Sequence, residues 1–217
     1  MSEEVTIEKV GSSIIINGIT EKPIKIPSQM YPLTGELCYI DEENTEDFPD
    51  NPTTDKIKEI YDSIQPGVGT CYQNIEKLIV ALAEGGIKAH PMVGWLFIGN
   101  SIPVHHCFAL IDNHVLDFSP KPDIFFTEEF SDMGIDATRN KMADTMIELM
   151  KKPNSETTTF GKVSQFSHYF ASPCKPMAGL KVYQKLIKTF PKHPCYKNIN
   201  SSGLNKTQEL YYKKAGK

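Results

Sequence analysis

The segment Gly69-Thr70-Cys71-Tyr72-Gln73-Asn74-Ile75-Glu76-Lys77-Leu78-Ile79-Val80-Ala81-Leu82 joins a glycine turn to a helical pattern. Tyr72, Ile75, Leu78, Ile79 and Leu82 recur at helical spacing, so a helix is expected from about residue 71 to 84, with one apolar face. Gly85-Gly86 ends it in the manner of a glycine C-cap. Residues 87–98 follow as an extended apolar run, and 104–111 and 114–118 as two more strands. Asp112-Asn113 joins that pair as a tight hairpin. Helix, strand, strand, strand is the order of an antiparallel sheet with the Cys71 helix packed on it, an α+β arrangement.

Working outward, residues 5–27 alternate apolar and polar positions around Gly11 and Gly18, which predicts a β-hairpin or meander. Residues 28–53, rich in Pro, Glu, Asp and Asn, read as a long loop. Thr53 or Thr54 is expected to cap a helix running to about Ile64, before Gln65-Pro66-Gly67-Val68-Gly69 breaks it. Helical patterns return over 134–152, 178–189 and 205–215, with Met142, Met146 and Met150 on a core-facing stripe. Residues 153–159 and 191–202 read as loops. The expected organisation is a single domain over residues 1–217: an N-terminal hairpin and loop (1–53), a core (54–120) and a mostly helical extension with a basic tail (121–217).

A chain of 217 residues that is 40% hydrophobic can bury a sizeable core. The net charge of −4 is unevenly spread, because residues 175–217 carry ten Lys against the single acid Glu209. This basic tail reads as solvated helix faces, with nucleic acid the lesser alternative. The five cysteines (Cys38, Cys71, Cys107, Cys174 and Cys195) form no C-x-x-C pair, which argues against a paired-cysteine zinc site and for free thiols in a reducing compartment. Met1-Ser2-Glu3-Glu4 opens without the apolar core of a signal peptide, and no run approaches the ~20 apolar residues of a membrane helix. The expectation is a cytoplasmic protein without membrane contact.

The chemistry sits in Gly69-Thr70-Cys71-Tyr72, His106-Cys107-Phe108 and Val115-Leu116-Asp117-Phe118-Ser119. A thiol is activated by a helix N-terminus, whose free N–H groups and dipole favour an anion, and by an adjacent imidazolium. The turn before Cys71 puts its sulfur in the first helical turn, where the same N–H groups can also hold an oxyanion. A histidine that shuttles the proton needs a rigid strand and an acceptor on its second nitrogen. With Asp112-Asn113 as the turn, Ile111 pairs with His114, Phe108 faces Asp117, and His106 is the diagonal neighbour of Asp117 on the same face. Strand alternation lets only one of His105 and His106 share that face, and the spacing favours His106. His105 is then expected at the surface or a pocket rim. The same alternation splits His105, His106, His114 and Cys107 between faces, against a zinc site.

These elements resemble a known superfamily. Gly69-Thr70-Cys71-Tyr72 is similar to the G-x-C-[WY] element of transglutaminase-like cysteine enzymes, and His106-Cys107-Phe108 with Val115-Leu116-Asp117-Phe118-Ser119 resembles their H-A-[WF]…[VI]-x-D-x-[ST] element. Small transglutaminase-like proteins of bacteria and phages share the pattern, which here covers residues 60–120. The resemblance implies a papain-like, transglutaminase-like core with Cys71 as nucleophile, His106 as general acid/base and Asp117 as orienting acid. Gln65, six residues before Cys71, has the spacing of the papain-like oxyanion glutamine. Cys107 stands where Ala is usual, and Phe118 where Pro is frequent.

The function expected is a cysteine-dependent hydrolase or acyltransferase that acts on a peptide, protein or small amide through a thioester. It needs no metal or organic cofactor. The alternative is an inactive transglutaminase-like binding module, such as a phage or host interaction protein.

Overall fold

The structure, a computed structural model, describes residues 6–11, 13–18, 22–27, 38–99, 103–127, 130 and 133–217. Its centre is a curled six-stranded antiparallel sheet. The strands are β4 (Cys38–Ile40), β5 (His90–Ile98), β6 (Val104–Ile111), β7 (His114–Pro120), β8 (Thr158–Gly161) and β9 (Ser167–Pro173), in the order β4-β9-β5-β6-β7-β8. Strands β1 (Thr6–Val10), β2 (Ser13–Asn17) and β3 (Ile24–Pro27) form a separate antiparallel meander, as the alternation around Gly11 and Gly18 predicts. Six α-helices lie among the described residues: α1 (Pro52–Ser63), α2 (Cys71–Glu84), α3 (Ile135–Leu149), α4 (Asn154–Thr157), α5 (Pro176–Thr189) and α6 (Lys206–Lys214).

Helix α2 packs on β5, β6, β7 and α5. Its buried positions are Tyr72, Asn74, Ile75, Leu78 and Leu82. Partners directly opposite in an antiparallel ladder share a face, and the register makes the two faces of the sheet explicit. Val93 pairs with Cys107 and Trp95 with His105; these residues belong to the side covered by α2 and α5. Met92 pairs with Phe108, Gly94 with His106 and Leu96 with Tyr169, which places these on the other side, around a second apolar cluster with Ile40, Val115 and Ala171. The meander contributes Ile14, Ile16, Ile24 and Ile26 to the first cluster.

Three expectations change. Helix α1 starts earlier than Thr53: the Asn51 side chain accepts from the N–H groups of Thr53 and Thr54 at 2.9 and 3.0 Å, and Pro52 fills the first helical position, where its missing N–H costs nothing. The loop expected over 28–53 contains β4, while its residues 28–37 lie outside those described. Most consequentially, the C-terminal part, expected to be mostly helical with a loop over 153–159, carries α4 within that loop and two strands as well. It supplies β8 to one edge and β9 to the interior of the sheet, between β4 and β5. Strand β9 is buried on both faces from Tyr169 to Ser172, so it lacks the polar-apolar alternation that marks a half-exposed strand.

Strands β5 and β9 approach very closely at Gly94. A Cβ there would stand 2.1 Å from the carbonyl oxygen of Phe170, a backbone atom that cannot swing aside. Gly94→Ala is therefore expected to lower stability by about 3 kcal/mol, the upper end of ordinary overpacking, seen as a lower urea midpoint at unchanged slope. A midpoint equal to wild type would show that the strands part without cost.

Candidate active site

Asp117 is 1% exposed, and a buried carboxylate must be paired or fully hydrogen-bonded. Both of its oxygens are occupied. His106 donates through Nε2 to Oδ2 at 2.8 Å, the Tyr169 hydroxyl donates to Oδ2 at 2.8 Å, and the Ser119 N–H donates to Oδ1 at 2.8 Å. The Ser119 N–H is free to do so because the β7–β8 register breaks between Asp117 and Pro120, a bulge that takes Ser119 out of the ladder. The Tyr61 hydroxyl, on α1, donates to the Asp117 carbonyl at 2.8 Å and meets Thr158 Oγ1 at 2.6 Å, which anchors the strand from behind.

The register follows the hairpin expectation: Ile111 pairs with His114 and Ala109 with Leu116, which brings Phe108 opposite Asp117 and His106 to the diagonal. The β6–β7 ladder ends at Ala109 and Leu116. Cys71, in the first turn of α2, lies close enough to the His106 ring to favour its charged form. With Nε2 committed to Asp117, Nδ1 is the nitrogen left for the thiol. Burial opposes charge on His106, but the Asp117 carboxylate and then Cys71 outweigh it and raise its pKa to about 10. Burial works against the Asp117 charge too, yet His106, Ser119 and Tyr169 together hold its carboxyl below the ordinary range.

The start of α2 is built for access. Asn74 grips the Gly67 peptide, accepting its N–H at 3.0 Å and donating to its carbonyl at 2.8 Å. The Thr70 hydroxyl turns to Gly67 and Asn74, and no side chain caps the helix. Its first-turn N–H groups therefore lie beside a partly exposed thiol without a capping side chain. Gly69 has φ +71°, and a Cβ there would meet Leu204 at 2.4 Å, so α6 and the segment before it pack directly on this turn. The Tyr212 hydroxyl donates to the Val68 carbonyl at 2.6 Å.

No family model, curated protein or solved structure matches this chain.

Cys71, His106 and Asp117 thus come together. Gln65 is exposed on the preceding loop and makes no hydrogen bond to any of the three. Among the described residues no group of three or more His, Cys, Asp or Glu side chains is placed to hold a metal ion, and no helix is long and apolar enough to cross a membrane. An open groove along the outer side of α2, lined by Gln73, Lys77, Val80 and Met177, contains none of the three. His105 is not a rim residue. It is 6% exposed, because the face it occupies is covered by α2 and α5, and burial keeps it neutral with its pKa down to about 3. Tyr169 and Tyr61 are supporting residues that spacing alone did not single out. Ser119 was visible as the third residue of Asp117-Phe118-Ser119, but the bulge that gives its N–H a role was not.

The two histidines pull stability in opposite directions with pH. His106, raised to about 10, adds stability that is complete below its ordinary 6.5 and is lost as pH climbs through 10. His105, lowered to about 3, takes stability away as pH falls from 6.5 towards 3, because only the unfolded chain accepts that proton. Asp117 adds a further loss as pH falls through its lowered value. Urea midpoints are expected to peak near pH 6.5, and His105→Asn is expected to flatten the limb between about pH 4 and 6.5 while leaving the alkaline limb in place. Parallel curves for wild type and variant in that window would contradict the assignment.

Proposed function

We propose that this chain is a cysteine hydrolase or acyltransferase acting on an amide or isopeptide bond, with a papain-like, transglutaminase-like core. The reading rests on one observation: a thiol at an uncapped helix start lies against an imidazole whose other nitrogen is held by a buried, fully hydrogen-bonded carboxylate.

Cys71 attacks the carbonyl carbon as a thiolate, its proton having passed to His106. The oxyanion forms against the first-turn N–H groups of α2, which carry the positive end of the helix dipole. His106 gives its proton to the leaving nitrogen as the C–N bond breaks, and a thioester remains. Water or an amine then attacks the thioester, with His106 taking the proton from it and Cys71 leaving. Asp117 keeps Nε2 protonated, so that Nδ1 works on the sulfur side, and it stabilises the imidazolium. Tyr169 keeps its own proton, because burial and then the Asp117 charge push its hydroxyl pKa well up. It therefore acts as a donor to the carboxylate throughout.

The test uses iodoacetamide near neutral pH on the full chain, with each cysteine followed by mass spectrometry. Cys71 is expected to alkylate at least ~10-fold faster than the exposed Cys38, since a neighbouring imidazolium favours the reactive thiolate. His106→Ala should remove that advantage. Incubation with mixed peptide amides should leave an acyl adduct on Cys71, and none in Cys71→Ala. Once a substrate is in hand, Asp117→Asn should lower kcat by roughly 10²–10⁴. Equal, slow labelling of all five thiols would sink the reading and favour a binding module with no chemistry.

A further inference from the structure

His105 has no part in the mechanism above, yet it is a buried polar side chain where a leucine would pack. Its ring stacks on Tyr183 with centroids 5.1 Å apart and meets the edge of Trp95 at 5.1 Å. Its Nδ1 is hydrogen-bonded to the hydroxyl of Tyr72, while its Nε2 has no partner. Because His105 is held neutral, Nδ1 is the acceptor and Tyr72 the donor; burial first, and then the neighbouring Cys71 and Cys107 thiols, keep the Tyr72 proton in place. An unpartnered buried donor costs ~1–3 kcal/mol, so an apolar residue would serve stability at least as well here.

The placement suggests another role. Cys71 and Tyr72 are consecutive in the first turn of α2, and His105 and His106 are consecutive on β6. Cys71 meets His106 and Tyr72 meets His105. Consecutive strand residues point to opposite sides of the sheet, yet each of the two histidines has its partner in the first turn of α2. The turn before it rests on Gly69 in the left-handed region, and α2 has no side-chain cap. The Tyr72 hydroxyl supplies a side-chain hydrogen bond that ties the first turn of α2 to the strand bearing His106.

We propose that His105 is a positioning residue: by accepting the Tyr72 hydroxyl it fixes the first turn of α2 against β6 and so sets where the Cys71 sulfur stands relative to His106. This deepens the cysteine-hydrolase reading and rests on it. The geometry has leverage, because misplacing a reacting group by ~1 Å can cost ~10²-fold in rate.

The experiment follows Cys71 alkylation by iodoacetamide from pH 5 to 9 in the full chain, beside urea stability, for wild type, Tyr72→Phe, His105→Leu and His105→Asn. The titratable groups around Cys71 are His106, Tyr72, Cys107 and Tyr183. Tyr72→Phe keeps the ring and removes only the donor, so it reports even if His105→Leu fails to fold. Tyr72→Phe and His105→Leu are expected to slow Cys71 alkylation at neutral pH by ~10-fold and to change the pH profile of that reaction. His105→Asn, whose Oδ1 stands where Nδ1 stood, is expected to stay within ~3-fold of wild type. If Tyr72→Phe leaves rate and profile unchanged, or alters stability alone, the positioning role is overturned. If wild-type Cys71 itself reacts no faster than Cys38, the hydrolase reading falls and the positioning role with it.

Discussion

A carboxylate taken out of water must be compensated in place, and Asp117 is the point where this fold meets that demand. Its side chain draws His106 from β6, Tyr169 from β9 and the Ser119 N–H from its own bulged strand, while its carbonyl holds Tyr61 of α1. Removing one partner of a buried charge costs several kcal/mol, because the other is left uncompensated. The carboxylate's partners come from β6, β9 and the bulge of β7 itself, so the charge is satisfied only when these three strands are in register, while Tyr61 of α1 holds the carbonyl of the same residue. The same carboxylate favours the protonated His106, so one interaction both holds the packing and sets the charge of the imidazole.

The two faces of the sheet divide the labour. On one, α2 and α5 bury Trp95, His105 and Cys107 against a large apolar cluster. On the other, His106, Asp117 and Tyr169 border a smaller cluster built on Met92, Leu96 and Phe108. Strand β6 belongs to both, and its two histidines hold opposite charge states because their surroundings differ. One sits beside a carboxylate and a thiol. The other sits among aromatic rings, with the cation on His106 further opposing its own. Two residues of one type, adjacent in sequence, are thus pushed in opposite directions, one down to about 3 and the other up to about 10.

What could be read in advance was whatever local geometry controls. The Asp112-Asn113 turn sets the β6–β7 register, and register alone brings His106 to Asp117. Glycine placement and apolar spacing define α2. The misses arise where tertiary context decides. Strand β9 is a central strand, buried on both sides, so its sequence Ser167-His168-Tyr169-Phe170-Ala171-Ser172-Pro173 carries no alternation to mark it. The same lack of pattern hides Tyr169. The expectation of His105 at the surface or a pocket rim fails because alternation states only that it faces away from His106. It is silent on which face α2 and α5 will cover.

The start of α2 shows how stability and access are reconciled. Helices α1 and α6 are closed by Asn51 and Asn205, whose side chains take the first N–H groups for themselves. At α2 the corresponding residue, Thr70, directs its hydroxyl to Gly67 and Asn74 instead. The order that a cap would have supplied comes from one turn inside the helix, where Asn74 clamps the Gly67 peptide, and from the packing of Leu204 and Tyr212 on the turn. The backbone N–H groups around Cys71 are thereby held in place without a capping side chain. The positive end of the helix dipole is thus presented to the partly exposed Cys71 thiol rather than to a cap of its own.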